Sequence, residues 1–171
     1  PANGTCTVSV NVLSNISGSY TNTIAASAVG TFEGVTNEEP TSAKVTYSTP
    51  PEVTKQFSPP VIATNGISTL TIFLGNTNTQ AITLSSAFTD NLPKFPGNIL
   101  VAPTPNVTKT CPSAVTAVAG SSTVTYANGA KVPVGGCTIS VDVTGSTAGV
   151  HTNSIAAAAL KTDLGNNQDP A

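Results

Sequence analysis

The stretch Cys137-Thr-Ile-Ser-Val-Asp-Val143 decides the fold, because nearly the same residues occur earlier as Cys6-Thr-Val-Ser-Val-Asn-Val12. Apolar and polar residues alternate along both, as in a strand with one buried face. A second matching pair follows after a short turn, Tyr20-Thr-Asn-Thr-Ile-Ala-Ala26 and His151-Thr-Asn-Ser-Ile-Ala-Ala157. Both pairs have the same offset, 131 residues. An internal repeat of this kind predicts an array of like modules.

The repeat predicts two domains. We expect residues 1–48 to be the C-terminal part of one β-sandwich repeat, and residues 49–171 to be a second repeat that lacks its final strand. Thr49-Pro50-Pro51 would be a stiff linker, because proline fixes its own φ and keeps the preceding residue extended. Asn167-Gln-Asp-Pro-Ala171 matches Asn37-Glu-Glu-Pro-Thr41 after a one-residue gap, so the counterpart of the predicted strand Ala43–Tyr47 is missing. A continuing polypeptide is expected to supply it, with a neighbouring chain as the alternative.

The composition favours an all-β protein of the cell exterior. Only 8% of the residues are charged, and the net charge is -2. Abundant Thr and Val favour strands, and scattered Gly, Pro and Asn favour turns. Six basic residues give no electrostatic footprint for nucleic acid, and no apolar run reaches the roughly 18 residues of a membrane helix. Few Lys and Glu residues and paired cysteines are typical of a secreted bacterial surface protein, so we expect an extracellular location.

Many short strands separated by turn residues indicate antiparallel β-sandwich modules with very little helix. The segment Lys94–Pro105 is expected to be irregular, and Asn128-Gly129 to form a turn. The predicted strands are Cys6–Val12, Tyr20–Ala26, Ala43–Tyr47, Val53–Phe57, Ser68–Leu74, one or two within Ala81–Leu92, Val107–Cys111, Ala114–Ala119, Ser122–Tyr126, Cys137–Val143 and His151–Ala157.

Several motifs together resemble the repeats called "domain of unknown function 11" and their close relatives. They are Val53-Thr-Lys-Gln-Phe-Ser-Pro-Pro60, Ser68-Thr-Leu-Thr-Ile72, Phe88-Thr-Asp-Asn-Leu-Pro93, Gly136-Cys-Thr-Ile-Ser-Val141 and His151-Thr-Asn-Ser-Ile155. The resemblance covers Pro50–Ala171, and Pro1–Tyr47 as a back portion. It implies an immunoglobulin-like module of a large bacterial surface protein, in a stalk, fibre or adhesin.

Three polar residues are predicted to lie on apolar strand faces. By the two-residue period, Lys55 shares a face with Val53 and Phe57. Asp90 likewise shares a face with Phe88 and Leu92, and Asn153 with His151 and Ile155. A buried isolated charge is costly, so the lysine and the aspartate must be paired or neutral. One interpretation is a buried Lys55–Asp90 ion pair with Asn153 bonded to both. Another is that the faces are wrongly assigned.

A third interpretation is a self-formed isopeptide bond from Lys55 Nζ to Asn153 Cγ. Burial is expected to favour the uncharged amine and the uncharged acid. A neutral amine can then attack the carboxamide while Asp90 polarises the carbonyl. The resemblance supports this interpretation, because immunoglobulin-like surface modules are known for such crosslinks. Asn22 is the repeat counterpart of Asn153, and its lysine should lie upstream of Pro1.

Three cysteines give an odd total. We expect a Cys111–Cys137 disulfide, because Cys137 lies on an inward strand face and Cys111 ends a strand of the same module. Such a bridge would stabilise the fold by about 3–4 kcal/mol through loop entropy. The alternative is two buried free thiols. Cys6, the counterpart of Cys137, should have its partner upstream of Pro1.

Nothing else in the sequence points to an enzyme, a cofactor or a metal. His151 is replaced by Tyr20 in the other copy, which indicates an aromatic filler rather than a general base. Acidic and amide residues near the C-terminus are numerous enough to hold calcium but lack its loop spacing, so a solvated loop is expected. They are Asp163, Asn166, Asn167 and Asp169. Sequons occur at Asn3, Asn15 and Asn106.

These observations favour a structural repeat of an extracellular fibre or stalk, stabilised by covalent crosslinks. Its expected partners are neighbouring repeats of the same polypeptide and other copies in a fibre. The alternative is an adhesin module that binds a carbohydrate or host protein through loops such as Lys94–Pro105. A hydrolase fragment is a third hypothesis, with almost no motif in its support.

Overall fold

The computed structural model describes residues 4–171, so the sequon at Asn3 lies outside the described residues. The chain divides into two compact units, Pro1–Tyr47 and Ser48–Ala171. The described residues form strands and no helix, and every strand pairing is antiparallel. The predicted all-β, antiparallel class is confirmed. Between residues 4 and 171, no helix is long and apolar enough to cross a membrane.

The strands in chain order are β1 (Gly18–Ile24), β2 (Thr41–Tyr47), β3 (Glu52–Ser58), β4 (Ile67–Gly75), β5 (Ile82–Thr83), β6 (Phe88–Asn91), β7 (Ile99–Val101), β8 (Thr108–Lys109), β9 (Val115–Thr116), β10 (Thr123–Tyr126), β11 (Lys131–Val132), β12 (Cys137–Gly145), β13 (Lys161–Thr162) and β14 (Gly165–Asn166). In the first unit, β1 and β2 form a hairpin in which Gly18 lies opposite Tyr47 and Ile24 lies opposite Thr41.

The second unit is consistent with a two-sheet β-sandwich. One sheet has the order β3-β4-β12-β7, with β8 also paired to β12, and the other has the order β6-β10-β9. Two short pairs, β5 with β11 and β13 with β14, complete the unit. The alternating residues of the two longest strands, β4 and β12, put one apolar row of each into the core. Phe88, Val124 and Tyr126 of the other sheet join the same buried cluster.

Three of the predicted elements are wrong. Cys6–Val12 is exposed and forms no strand, whereas its counterpart in β12 is paired on both sides. His151–Ala157 also forms no strand. In contrast, β7 lies inside the supposedly irregular segment Lys94–Pro105, where it pairs with the end of β12. In all three cases the outcome depends on whether a partner strand is present, which alternation alone does not encode.

The start of the second unit is held by two buried asparagines. The Thr49 amide donates to Asn78 Oδ1 (2.8 Å), and Asn78 Nδ2 donates to the Thr49 carbonyl (2.9 Å). Asn78 also donates to Asn76 Oδ1 through its backbone and its side chain. Pro51 is buried. The predicted linker Thr49-Pro50-Pro51 is therefore attached to the second unit by specific hydrogen bonds.

Candidate functional site

The polar residues predicted to face inward come from three separate elements of the second unit. On β3, Lys55 stands between buried Val53 and half-buried Phe57, while the intervening residues are exposed. On β6, buried Asp90 lies on the same strand face as buried Phe88, and the residues on either side of it are exposed. Asn153 belongs to the irregular segment after β12 and shares a side with buried Ile155. The two-residue period therefore gives the observed burial in all three segments.

The structure brings these three side chains together between the two sheets. Lys55 Nζ lies 3.2 Å from Asp90 Oδ1, and Asn153 Nδ2 donates to Asp90 Oδ2 over 2.8 Å. The side chains of Lys55 and Asp90 are only 6% and 0% exposed. Asp90 is thus the centre of the cluster, with one oxygen on the lysine and the other on the amide. Asn153 bonds to the aspartate alone, not to both charged groups as one interpretation expected.

Burial shifts the pKa of the lysine. Desolvation lowers the pKa of the Lys55 ammonium below 10.5, and the attraction and hydrogen bond of Asp90 oppose this only in part. A buried ion pair of this kind is costly to desolvate, since water would otherwise solvate both charges. Burial therefore favours the neutral amine at Lys55 more than an exposed position would.

The amide of Asn153 is only half satisfied. Its Oδ1 is buried and has no hydrogen-bond partner, although a buried acceptor without a donor costs about 1–3 kcal/mol. A half-turn of the amide would place Oδ1 against Asp90 Oδ2, where a protonated Asp90 could donate to it. In that arrangement the buried oxygen would have a hydrogen-bond partner.

The cysteines behave differently in the two units. Cys111 and Cys137 form a disulfide, as predicted, and both are buried in the core. Cys6, the counterpart of Cys137, is exposed and free. The bridge joins the segment after β8 to the start of β12.

The counterpart residues in the first unit have no such cluster. Asn22 is exposed on β1 opposite Ala43. Tyr20 and His151 nevertheless make the same kind of contact, because Tyr20 Oη donates to the carbonyl of Ile16 and His151 Nε2 lies 2.9 Å from the carbonyl of Thr147. His151 therefore takes the place of a tyrosine in anchoring the turn before it.

Asn167 has a structural role that the sequence analysis missed when it assigned the residue to a solvated loop. Its Oδ1 accepts from the Leu160 amide, and its Nδ2 donates to the carbonyls of Ala156 and Asp169. Asn37 makes the corresponding bonds in the first unit, to Val29, Ala25 and Glu39. The matching segments around Asn37 and Asn167 were the signal that could have identified this role. In the described part of the chain, no three acidic, His or Cys residues group as a metal site.

The fold and the site together define an all-β module with a disulfide and a buried Lys–Asp–Asn cluster between its sheets. The family model described as "Domain of unknown function (DUF7933)" matches residues 51–171, and the chain belongs to that family. No curated protein and no solved structure gives a significant match to the chain.

Proposed function

We propose that the second unit is a structural module of an extracellular bacterial surface stalk, fibre or adhesin, stabilised by an isopeptide bond between Lys55 and Asn153. The observation that carries this proposal is the position of Asp90, which is fully buried and contacts both groups. The disulfide is a second covalent restraint on the same unit. The resemblance to "domain of unknown function 11" repeats supports the surface location.

The reaction needs no external reagent. Lys55 transfers a proton to Asp90, and the neutral Nζ attacks Cγ of Asn153 while the protonated Asp90 hydrogen-bonds to the carbonyl oxygen. The tetrahedral intermediate gives a proton from Nζ to the amide nitrogen through Asp90. The Cγ–Nδ2 bond then breaks, ammonia leaves, and the Nζ–Cγ amide remains. Atoms balance, because the protein loses one ammonia and nothing is oxidised or reduced.

The position of the bond suits a load-bearing role. Lys55 is on β3, the first strand of the unit, and Asn153 follows β12, the last long strand. A bond between them would carry force directly from the beginning of the unit to its end. Most of the polypeptide between the two residues, including both sheets' central strands, would then be shielded from extension.

The recurrence of the Asn37 loop supports the further proposal that the first unit is part of a similar module in a tandem array. The hydrogen bonds of Asn37 and Asn167 match one for one. Ser27 and Ala158 occupy the same place in the two loops, with φ of 61° and 60°. Positive φ is uncommon for residues other than glycine. Its occurrence at corresponding positions of both loops therefore supports a shared local fold.

Intact-mass spectrometry of the full chain tests the crosslink. We expect a mass below that of the disulfide-bonded sequence by one ammonia, and a fragment in which Lys55 and Asn153 are joined. Lys55→Ala and Asp90→Ala should each give a protein whose mass equals that of its own disulfide-bonded sequence, with no ammonia lost. Lys131→Ala and Asn106→Ala are matched controls, because both side chains are exposed, and both should keep the loss. A wild-type mass equal to that of the disulfide-bonded sequence would leave only the buried ion pair.

A further inference from the structure

The hairpin of the first unit indicates which strand would pair with residues 149–155, the segment that contains Asn153. This hairpin places β2 along the whole of β1, from Ile24 opposite Thr41 to Gly18 opposite Tyr47. In the second unit, residues 149–155 correspond to β1 and Ala171 corresponds to Thr41. Ile155 and Ala171 exchange two backbone hydrogen bonds, of 2.6 and 2.9 Å. The second unit therefore contains the first pair of the same hairpin.

Beyond that pair, residues 149–154 form no strand. Val150 in this segment is 87% exposed. A cavity of about 530 Å³ is lined in part by this segment. Its lining is mainly apolar and includes Phe57, Ile62, Ile99, Val143, Val150 and His151. Strand addition uses unpaired backbone groups together with pockets that receive alternate side chains. Within the described part of the chain, residues 149–154 make no backbone–backbone hydrogen bond and adjoin such a pocket.

The register of the first hairpin indicates which side chain belongs in this cavity. Tyr47 lies opposite Gly18, and its ring packs edge-on against Tyr20 with ring centroids 5.8 Å apart. The counterparts of Gly18 and Tyr20 are Gly149 and His151, which both line the cavity. A strand in the same register would therefore bring its final aromatic ring to the cavity and against His151.

We propose that residues 149–155 and the adjoining cavity are an acceptor site for an antiparallel strand with the sequence of Thr41–Tyr47, which occupies the site when it is joined to Ala171. Alternate residues of that strand, equivalent to Ala43, Val45 and Tyr47, face inward, and the tyrosine fills the cavity. The alanine lies opposite Asn153, as Ala43 lies opposite Asn22, and covers the candidate crosslink from solvent.

The pairing pattern predicts which backbone groups respond. Hydrogen-bonded pairs alternate along an antiparallel ladder, and the pair of Ile155 with Ala171 is one of them. The next pairs should therefore use the amides of Asn153 and His151. The amides of Thr152 and Ser154 point away from the added strand and should not change.

The test adds Ser-Ala-Lys-Val-Thr-Tyr, the sequence of residues 42–47, after Ala171 of the full chain. We expect amide hydrogen exchange at His151 and Asn153 to slow by about tenfold or more, and exchange at Thr152 and Ser154 to stay the same. Ending the extension in Ala instead of Tyr should remove most of this protection. Swapping each apolar residue with its polar neighbour, which turns the apolar residues outward, should abolish it.

Three results would overturn the proposal: no added protection, equal protection with the swapped sequence, or protection that depends on protein concentration. The last would mean that a second molecule supplies the strand. Hydrogen exchange reports backbone pairing and does not depend on loss of ammonia. The strand proposal and the crosslink proposal can therefore fail separately.

Discussion

The loops around Asn37 and Asn167 have the same geometry, but the segments that precede them do not. Both loops repeat their side-chain hydrogen bonds, and the bond from the residue with positive φ to the asparagine carbonyl is 2.8 Å in each. Gly18–Ile24 before the first loop is a strand, whereas residues 149–155 before the second are not. A loop that satisfies its own polar groups forms from local sequence alone. A strand also needs a partner.

The other repeated stretch also differs between the two units, but here the copy in the second unit is the strand. Cys6–Val12 and Cys137–Val143 have almost the same alternation, yet only the second is a strand and only the second carries a disulfide. β4 and β8 lie beside β12 and supply its hydrogen bonds. Alternation therefore determines which side of a segment is apolar, and the surrounding chain determines whether that segment is paired.

Removing the disulfide should give the largest difference between the two units. We expect Cys111→Ala with Cys137→Ala to lower the free energy of unfolding of the second unit by about 3–4 kcal/mol, from the loop entropy that a bridge removes from the unfolded chain. Cys6→Ala should change it by less than about 0.5 kcal/mol, because that thiol is exposed and free. Urea unfolding of the three proteins gives both values. If Cys6→Ala lowered the free energy of unfolding as much as the double change does, the contrast between Cys137 and its counterpart Cys6 would be wrong.

The sequence was sufficient for the all-β class, for the disulfide and for the inward faces of β3 and β6. These follow from alternation, which acts within a few residues. The sequence did not reveal β7, because Ile99–Val101 is too short to show a period and is a strand only through its pairing with β12. The contact of Asp90 with both Lys55 and Asn153 was one of several interpretations, and the sequence could not select it, since alternation assigns a face but not the neighbour across the core. Asn167 was missed because its hydrogen bonds require an exact loop conformation.

A smaller effect should separate Asn167 from Asn37. Asn167 is 1% exposed and makes three hydrogen bonds to backbone groups. Of its three partner residues only Leu160 is buried. A buried amide left without a partner costs about 1–3 kcal/mol, so Asn167→Ala should lower the free energy of unfolding of the second unit by about that amount. Asn37→Ala makes the same truncation in the less buried loop of the first unit. It should leave the unfolding of the second unit within about 0.5 kcal/mol of wild type. Thermal and urea unfolding, read in parallel, would decide this, and a loss below about 0.5 kcal/mol for Asn167→Ala would mean that water replaces the amide.

The smallest effect concerns Lys55, the buried lysine that contacts Asp90 together with Asn153. Among the described residues of the first unit, no lysine is buried near Asn22. In an Asn153→Ala variant, which cannot form the crosslink, Lys55 still titrates. Its pKa in the folded state is lowered below 10.5 by burial, with Asp90 opposing. Between the two pKa values the unfolded chain binds more protons than the folded one. Stability from this group should therefore rise with pH through that interval, by at most about 1.4 kcal/mol per pH unit, and be fully present only above 10.5.

Urea unfolding of the Asn153→Ala variant at a series of alkaline pH values measures that slope. Adding Lys55→Met should remove it, because the buried amine whose pKa is lowered on folding is then absent. Adding Lys44→Met instead should leave the slope unchanged, since Lys44 is exposed on β2 of the first unit and is not part of the buried cluster. If the Lys44 variant loses the slope and the Lys55 variant keeps it, the buried ammonium is not the group that links folding to pH. If only the Lys55→Met addition removes the slope, burial destabilises the charged amine. A neutral amine is what attack on Asn153 requires.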